Sequence, residues 1–164
     1  MRKWGATLVL TDRGVAVEKP LSATILARVI RHDHAYGQSI LFFGDGELRA
    51  PLVDAAIGAN VLVTIDARDV SIALSRPMDV SITNRLPGSI VDIKPLAPPY
   101  VQVTFDLGSV ALFALVMMES VERLALEPGL RAWAMIKAVA IGRDAVRRAA
   151  VPEPRRWPAL DIRG

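Results

Sequence analysis

The chain has 164 residues, 52% of them apolar but only 5% aromatic, and no cysteine; one ordinary domain or two half-domains sharing a core fit this length, and disulfides, thiol nucleophiles and cysteine-based zinc sites are excluded. The isoelectric point is 9.7, yet the whole net charge of +3 lies in residues 143–164, where six arginines stand against Asp144, Glu153 and Asp161; the body sums to zero, which argues against a nucleic-acid surface. The longest apolar run, Val110 to Met118, is too short for a helix that crosses a bilayer, which takes roughly 20 residues.

The start, Met1 to Gly5, is basic like a secretory signal, but no apolar core follows before Thr11 and Asp12. Residues 5–19 read as a hairpin: Ala6 to Leu10 is β-prone, Asp12-Arg13-Gly14 is a turn signal, and Val15 to Val17 resumes before Pro20. From Ser22 a weak duplication begins. The first copy has a strand at Ile25 to Ile30 and a polar stretch at His32 to Gln38. A hairpin follows, from Ile40 to Phe43 and Leu48 to Pro51 across Gly44-Asp45-Gly46. Gly58 leads into a strand at Val61 to Ile65. The second copy has a strand at Gly88 to Ile93, a proline-rich loop at Pro95 to Pro99, and strands at Val101 to Phe105 and Val110 to Met117. A short helix is expected at Ser120 to Leu126, closed by Pro128-Gly129, and a last strand at Ala132 to Ile141. Gly58 and Gly129 stand 71 residues apart at matching places.

Short strands with frequent turn signals predict an all-β fold, a small OB-fold-like β-barrel in two similar halves that can share or swap strands; a two-sheet sandwich is the alternative. The expected divisions are a hairpin unit at residues 1–21, halves at 22–76 and 77–142, and an irregular tail at 143–164, with helical tendency around Asp144 to Ala150.

Val80-Ser81-Ile82-Thr83-Asn84-Arg85-Leu86-Pro87-Gly88 resembles the opening motif of molybdate-binding Mop (TOBE) domains. Ala134-Met135-Ile136-Lys137-Ala138-Val139-Ala140-Ile141 resembles their closing strand, and Ser120-Val121-Glu122-Arg123-Leu124 a segment between the two. In the first half, Ile25 to Tyr36 and Ile65 to Leu74 resemble the degenerate first repeat in the C-terminal regulatory region of a molybdate ABC transporter's ATP-binding subunit. Residues 5–20 are similar to the last strands of that subunit's ATPase domain. The resemblance implies an OB-like Mop/TOBE fold, molybdate or tungstate as ligand with no tightly bound cofactor, a homodimer, and a permease and ATPase domain as partners. It also implies a cytoplasmic position at the inner face of the plasma membrane. No G-x-x-x-x-G-K-[ST] loop occurs, so nucleotide hydrolysis is not expected of this chain.

A tetrahedral dianion needs hydrogen-bond donors from several sides and no carboxylate close by. The candidate donors are the hydroxyls of Ser81 and Thr83, the amide of Asn84, the ammonium of Lys137, and Ser120 at the expected start of a helix. Ala138 completes the candidate set by position. Each has a bland reading: Lys137 as a strand lysine reaching solvent, Ser81 and Asn84 as turn residues, Ser120 as a helix cap. Against the family pattern, Thr83 stands where an arginine is usual and Ala138 where a serine is usual. Asp66 stands in the first half where Lys137 stands in the second, so the first-half site is expected to be dead.

His32, Asp33 and His34 are adjacent on a loop, poor geometry for zinc, and no metal site is expected. Met117-Met118 reads as core, Trp133 as core or interface, and no catalytic triad suggests itself. The expected function is an oxyanion-binding regulatory domain. The alternatives are a non-binding dimerisation module, a stand-alone molybdenum storage protein, and an OB-type nucleic-acid binder, which the neutral body and scarce aromatics disfavour.

Overall fold

The computed structural model describes residues 8–11, 14–17, 21–44 and 46–150, the first two stretches as backbone only. The expected hairpin is present: β1 (Leu8–Thr11) pairs antiparallel with β2 (Gly14–Val17). Its turn residues Asp12 and Arg13, like Asp45 and residues 151–164, lie outside the described residues.

The first half contains β3 (Ser22–Asp33), β4 (Gln38–Phe43), β5 (Gly46–Pro51) and β6 (Asn60–Asp66), then a 3-10 turn at Ala67–Asp69 and β7 (Val70–Ala73). The second contains β8 (Asn84–Pro95), β9 (Tyr100–Asp106), β10 (Ala111–Met117), α1 (Met118–Arg123) and β11 (Arg131–Ile136). Two 3-10 turns, Ala138–Ala140 and Arg143–Ala145, lead to β12 (Val146–Arg148). Period-two patterning explains the strands. Along β3, Ala23, Ile25, Ala27 and Val29 are buried, while Ser22, Thr24, Leu26, Arg28 and Ile30 face out.

The strands form two curled five-stranded sheets, ordered β12-β6-β3-β4-β5 and β7-β11-β8-β9-β10. The two orders match strand for strand when each half is counted from its own first strand. They also reveal a reciprocal exchange. β7 leaves the first half and pairs with β11, Val70 opposite Ile136. β12 leaves the second half and pairs with β6, Val146 opposite Val63. Each half's closing strand would otherwise present a bare row of N–H and C=O groups, and the other half covers it. The buried side chains of both halves form one continuous core, including Ile25, Leu41, Val63, Ile90, Phe105 and Ile136, each contributing about 1.5–3 kcal/mol by leaving water.

The equivalence reaches single hydrogen bonds. β3 is bulged between Val29 and Arg31, and β8 between Ile90 and Asp92. At the first bulge, Gly58 N–H donates to the Val29 carbonyl at 2.7 Å and Val29 N–H to the Ala59 carbonyl at 2.9 Å. At the second, Gly129 donates to Ile90 and Ile90 to Leu130 at the same two distances. Gly58 has φ +88 and Gly129 φ +92, backbone that residues with a Cβ avoid.

Several expectations need correction. β8 starts at Asn84, four residues before the expected Gly88, because Asn84 and Leu86 already turn inward as β-paired residues. The last strand ends at Ile136, not Ile141, because the chain must turn through Ala138–Ala140 to cross to the other sheet. The segment expected to be irregular or helical after residue 143 instead supplies β12, whose Val146 fits the apolar edge of β6. Met117 is 49% exposed and so is not core, whereas Met118 is half-buried and packs against the core where β10 gives way to α1.

Candidate functional site

The first and last candidate motifs meet because β8 and β11 are antiparallel neighbours. Asn84 is opposite Ile136, so Thr83, one residue before, and Lys137, one residue after, leave the sheet side by side. Ala138 is the first residue of the 3-10 turn that follows, and Ser81 lies two residues back from Thr83. Ser81, Thr83 and Lys137 are exposed and Ala138 is half-buried. The arrangement is an open ledge at one end of the second sheet. Lys137 has no carboxylate within ion-pair distance among the described residues, and its side chain does not cap the turn it begins. The lysine expected inside a strand therefore stands just beyond one.

Asn84 is 2% exposed and already engaged. Its Nδ2 donates to the Arg49 carbonyl at 2.9 Å, and its Oδ1 accepts from the Arg49 N–H at 2.7 Å. The carboxamide imitates one β-bridge and ties β8 to the edge strand β5 of the other sheet. One Nδ2 hydrogen is left for any other acceptor.

Ser120 is placed elsewhere. It is the third residue of α1, which begins after Met117, and its carbonyl accepts from Leu124 N–H at 3.1 Å. It is not the helix cap that its type suggested. It lines a hollow of about 400 Å³ with Ser71, Tyr100, Arg68 and Arg123, and none of the other candidate residues lines that hollow. Both arginines there are paired, Arg68 to Asp66 at 3.0 Å and Arg123 to Glu119 at 3.1 Å.

Asp66, the first-half counterpart of Lys137, has a structural task. Its carboxylate accepts from the backbone N–H of Arg68 at 2.8 Å and from the Arg68 guanidinium at 3.2 and 3.0 Å, capping the 3-10 turn. The Arg68 side chain holds the Asp66 carboxyl below the usual carboxylate range, more than burial raises it.

Sequence reasoning missed Asp69. β7 runs beside β11 with Val70 opposite Ile136, so Asp69 is placed next to Lys137 on the side away from Thr83. Nothing in its local sequence marks this, because the neighbourhood arises from strand exchange. His32 is accounted for by hydrogen bonding. Its Nε2 donates to the Ala55 carbonyl at 2.8 Å, and its Nδ1 meets the Ser39 hydroxyl at 2.8 Å, which in turn accepts from Val53 N–H at 2.9 Å. Trp133 is half-buried under the guanidinium of Arg76, 5.9 Å from its ring centre. Among the described residues no helix is long and apolar enough to cross a membrane.

Residues 80–141 match the TOBE domain model. The chain is 38% identical over 121 residues to the molybdenum import ATP-binding protein ModC of Mesorhizobium japonicum, a match covering 74% of this chain and 33% of that protein. It is 37% identical over 134 residues to ModC of Albidiferax ferrireducens, covering 82% and 36%. The chain thus spans about a third of the length of these relatives. Among solved structures, molybdate-bound ModG, a cytoplasmic molybdate-binding protein, superposes with a TM-score of 0.63 at 24% identity, over 76% of this chain and 93% of that one. This likeness bears out the OB-like barrel fold.

Proposed function

Since residues 80–141 carry a TOBE domain, we propose that this chain is the oxyanion-binding regulatory module of a molybdenum import system. Its ligand is molybdate or tungstate. The observation that carries the reading is the Lys137 ammonium, with no carboxylate partner among the described residues, standing beside Thr83, in a chain whose relatives over this region are import ATP-binding proteins.

In this reading the dianion sits on the ledge, held by the Lys137 ammonium and the hydroxyls of Thr83 and Ser81, while Asn84, turned inward onto the Arg49 backbone, holds β8 in place beneath them. A ledge open to water screens charge strongly, so the anion gains most when a second surface covers it. A homodimer supplies that cover, and binding then stabilises the dimer by linkage. The module acts on an ATPase domain and a permease at the cytoplasmic face. It performs no chemistry on its ligand. Ser120, remote in its own hollow, is left out of this ligand set.

Titration calorimetry with sodium molybdate tests the reading: heat and a thermal shift are expected, and most of both should vanish in Lys137→Ala. No heat and no thermal shift at millimolar molybdate would remove the proposal. The second reading, a dimerisation module that binds nothing, is favoured by Asp69 beside Lys137 and by the amide of Asn84 being engaged. A tight dimer indifferent to oxyanions would select it. The 93% coverage of ModG supports a stand-alone storage protein as the third.

A further inference from the structure

The duplication gives the fold two equivalent hollows, each between the fifth strand of one sheet and the strand received from the other half. One is the α1 hollow between β10 and β7. The other lies between β5 and β12, with a volume of about 660 Å³. Its floor is apolar, with Val61 and Ile141 buried, and its rim carries Arg143, Arg147, Arg148 and Asp54.

The two hollows differ in charge. Both arginines of the α1 hollow are neutralised at 3.0 and 3.1 Å. At the β12 hollow, Arg148 alone faces a carboxylate, Asp54 at 3.9 Å, whose side chain is fully exposed. The Nε and one terminal nitrogen of Arg148 each reach the Asp54 carbonyl at 3.4 Å, which holds that guanidinium at the mouth. Arg143 and Arg147 have no carboxylate within ion-pair distance among the described residues. Even with Asp144 next in sequence to Arg143, the rim is positive.

We propose that the β12 hollow is a second anion site, separate from the Lys137 ledge, for an organic anion with a phosphate or carboxylate group on an apolar body. The volume lies within the roughly 300–1,000 Å³ of small-molecule sites. It is many times what a single tetrahedral ion fills, since a water molecule occupies about 30 Å³. Guanidinium forks match the paired oxygens of either acid group, and the floor around Val61 and Ile141 takes the apolar part. The proposal does not rest on the function assigned to the ledge.

The probe is 1-anilinonaphthalene-8-sulfonate, which joins an anionic group to an aromatic body, followed by its fluorescence on the full chain. Saturable binding is expected, weakened at least roughly 10-fold in the double variant Arg143→Ala, Arg147→Ala, as the loss of charge-assisted hydrogen bonds implies. Binding should be unchanged in Arg68→Ala, Arg123→Ala and in Lys137→Ala; these exposed substitutions leave the core intact, and thermal unfolding checks that. Phenyl phosphate and phenylacetate compete as the two chemical sources: displacement by one assigns the group, and displacement by neither overturns the site. No saturable binding, equal binding by the Arg143/Arg147 variant, or equal loss in the Arg68/Arg123 variant would also overturn it. Lys137→Ala that loses molybdate but keeps the probe separates the two sites.

Discussion

Replacing Asn84 by alanine tests whether this residue is first a structural clamp. The substitution removes two hydrogen bonds, 2.9 and 2.7 Å long, from a side chain that is 2% exposed. Each is worth about 0.5–1.5 kcal/mol net. Arg49 is half-buried, so water reaches its freed N–H and carbonyl only in part, and some desolvation penalty adds. The sum is about 2–3 kcal/mol. For a chain of this size each kcal/mol moves the melting temperature by about 2–4 °C, so a fall of about 5–10 °C is expected. Urea titration and thermal denaturation followed by circular dichroism measure it. Asn84→Asp should not rescue: one oxygen still accepts from Arg49 N–H, but the other sets a carboxylate oxygen against the Arg49 carbonyl. If Asn84→Ala stays within about 0.5 kcal/mol of the parent, the clamp reasoning is wrong. If it does so while abolishing molybdate binding, Asn84 is a ligand and not a tie between sheets.

Three further outcomes follow from the same geometry. Thr83→Arg adds a cation beside Lys137 and is expected to tighten molybdate binding by about 10- to 150-fold, the equivalent of 1.5–3 kcal/mol for a charged hydrogen bond; calorimetry that shows no gain would place the ion elsewhere. Gly129→Ala forces a Cβ into backbone at φ +92, with nothing within 4 Å to clash with it, so the loss should be that of backbone strain alone, about 1–3 kcal/mol in urea titration. Asp66→Asn is expected to destabilise by about 0.2–1 kcal/mol at neutral pH through loss of the charged pair with Arg68, since asparagine caps about as well as aspartate. Because the folded Asp66 carboxyl titrates below its unfolded value near 3.8, its stabilisation is complete above that value and fades as pH falls through the folded one. The gap between parent and Asp66→Asn should therefore close below about pH 4; a gap that persists in acid would show that the charge is not what matters.

Much of the fold was legible because its strands are amphipathic. Ala23, Ile25, Ala27 and Val29 alternate with polar or exposed positions, and one buried face per strand fixes register. Gly58 and Gly129 were legible as equivalents because each leads into the closing strand of its half, and the left-handed backbone both adopt, φ +88 and +92, favours glycine. β7 and β12 were harder. Four and three residues long, they pair far from where the chain would lead, and short strands at a sheet edge leave little periodicity to read. Lys137 was assigned to a strand interior because Ala132 to Ile141 is almost uniformly apolar. The break after Ile136 is set by where the chain must cross to β6, a tertiary demand with no local signal.

The candidate site was legible only where it depends on neighbours within one sheet. Thr83 and Lys137 belong together because β8 and β11 pair, and both motifs are local. The structure sets Asn84 and Ser120 apart from that pair for opposite reasons. The partner of Asn84 is the backbone of Arg49, which no side-chain motif records, and Ser120 depends on where a six-residue helix starts. The comparison of Asp66 with Lys137 carries the argument furthest. Asp66 ends its closing strand, Lys137 comes just after its own, and both precede a 3-10 turn, so the fold admits either residue. Asp66 spends its charge on Arg68 and the turn, whereas Lys137 makes no such bond. A residue at a position whose twin has a structural task, itself left with none and carrying the opposite charge, is free to meet something outside the chain. Asp69 on one flank weakens the pull on any anion; the attraction to Lys137 and the repulsion from Asp69 both double for a dianion, so an ion seated nearer the ammonium than the carboxylate gains about twice as much net when doubly charged. The expected order on the ledge is therefore molybdate well ahead of nitrate or chloride, and Asp69→Asn should strengthen molybdate binding by a modest factor without changing that order. Equal affinity for chloride and molybdate in a competition titration would show that the ledge has no preference for a doubly charged ion.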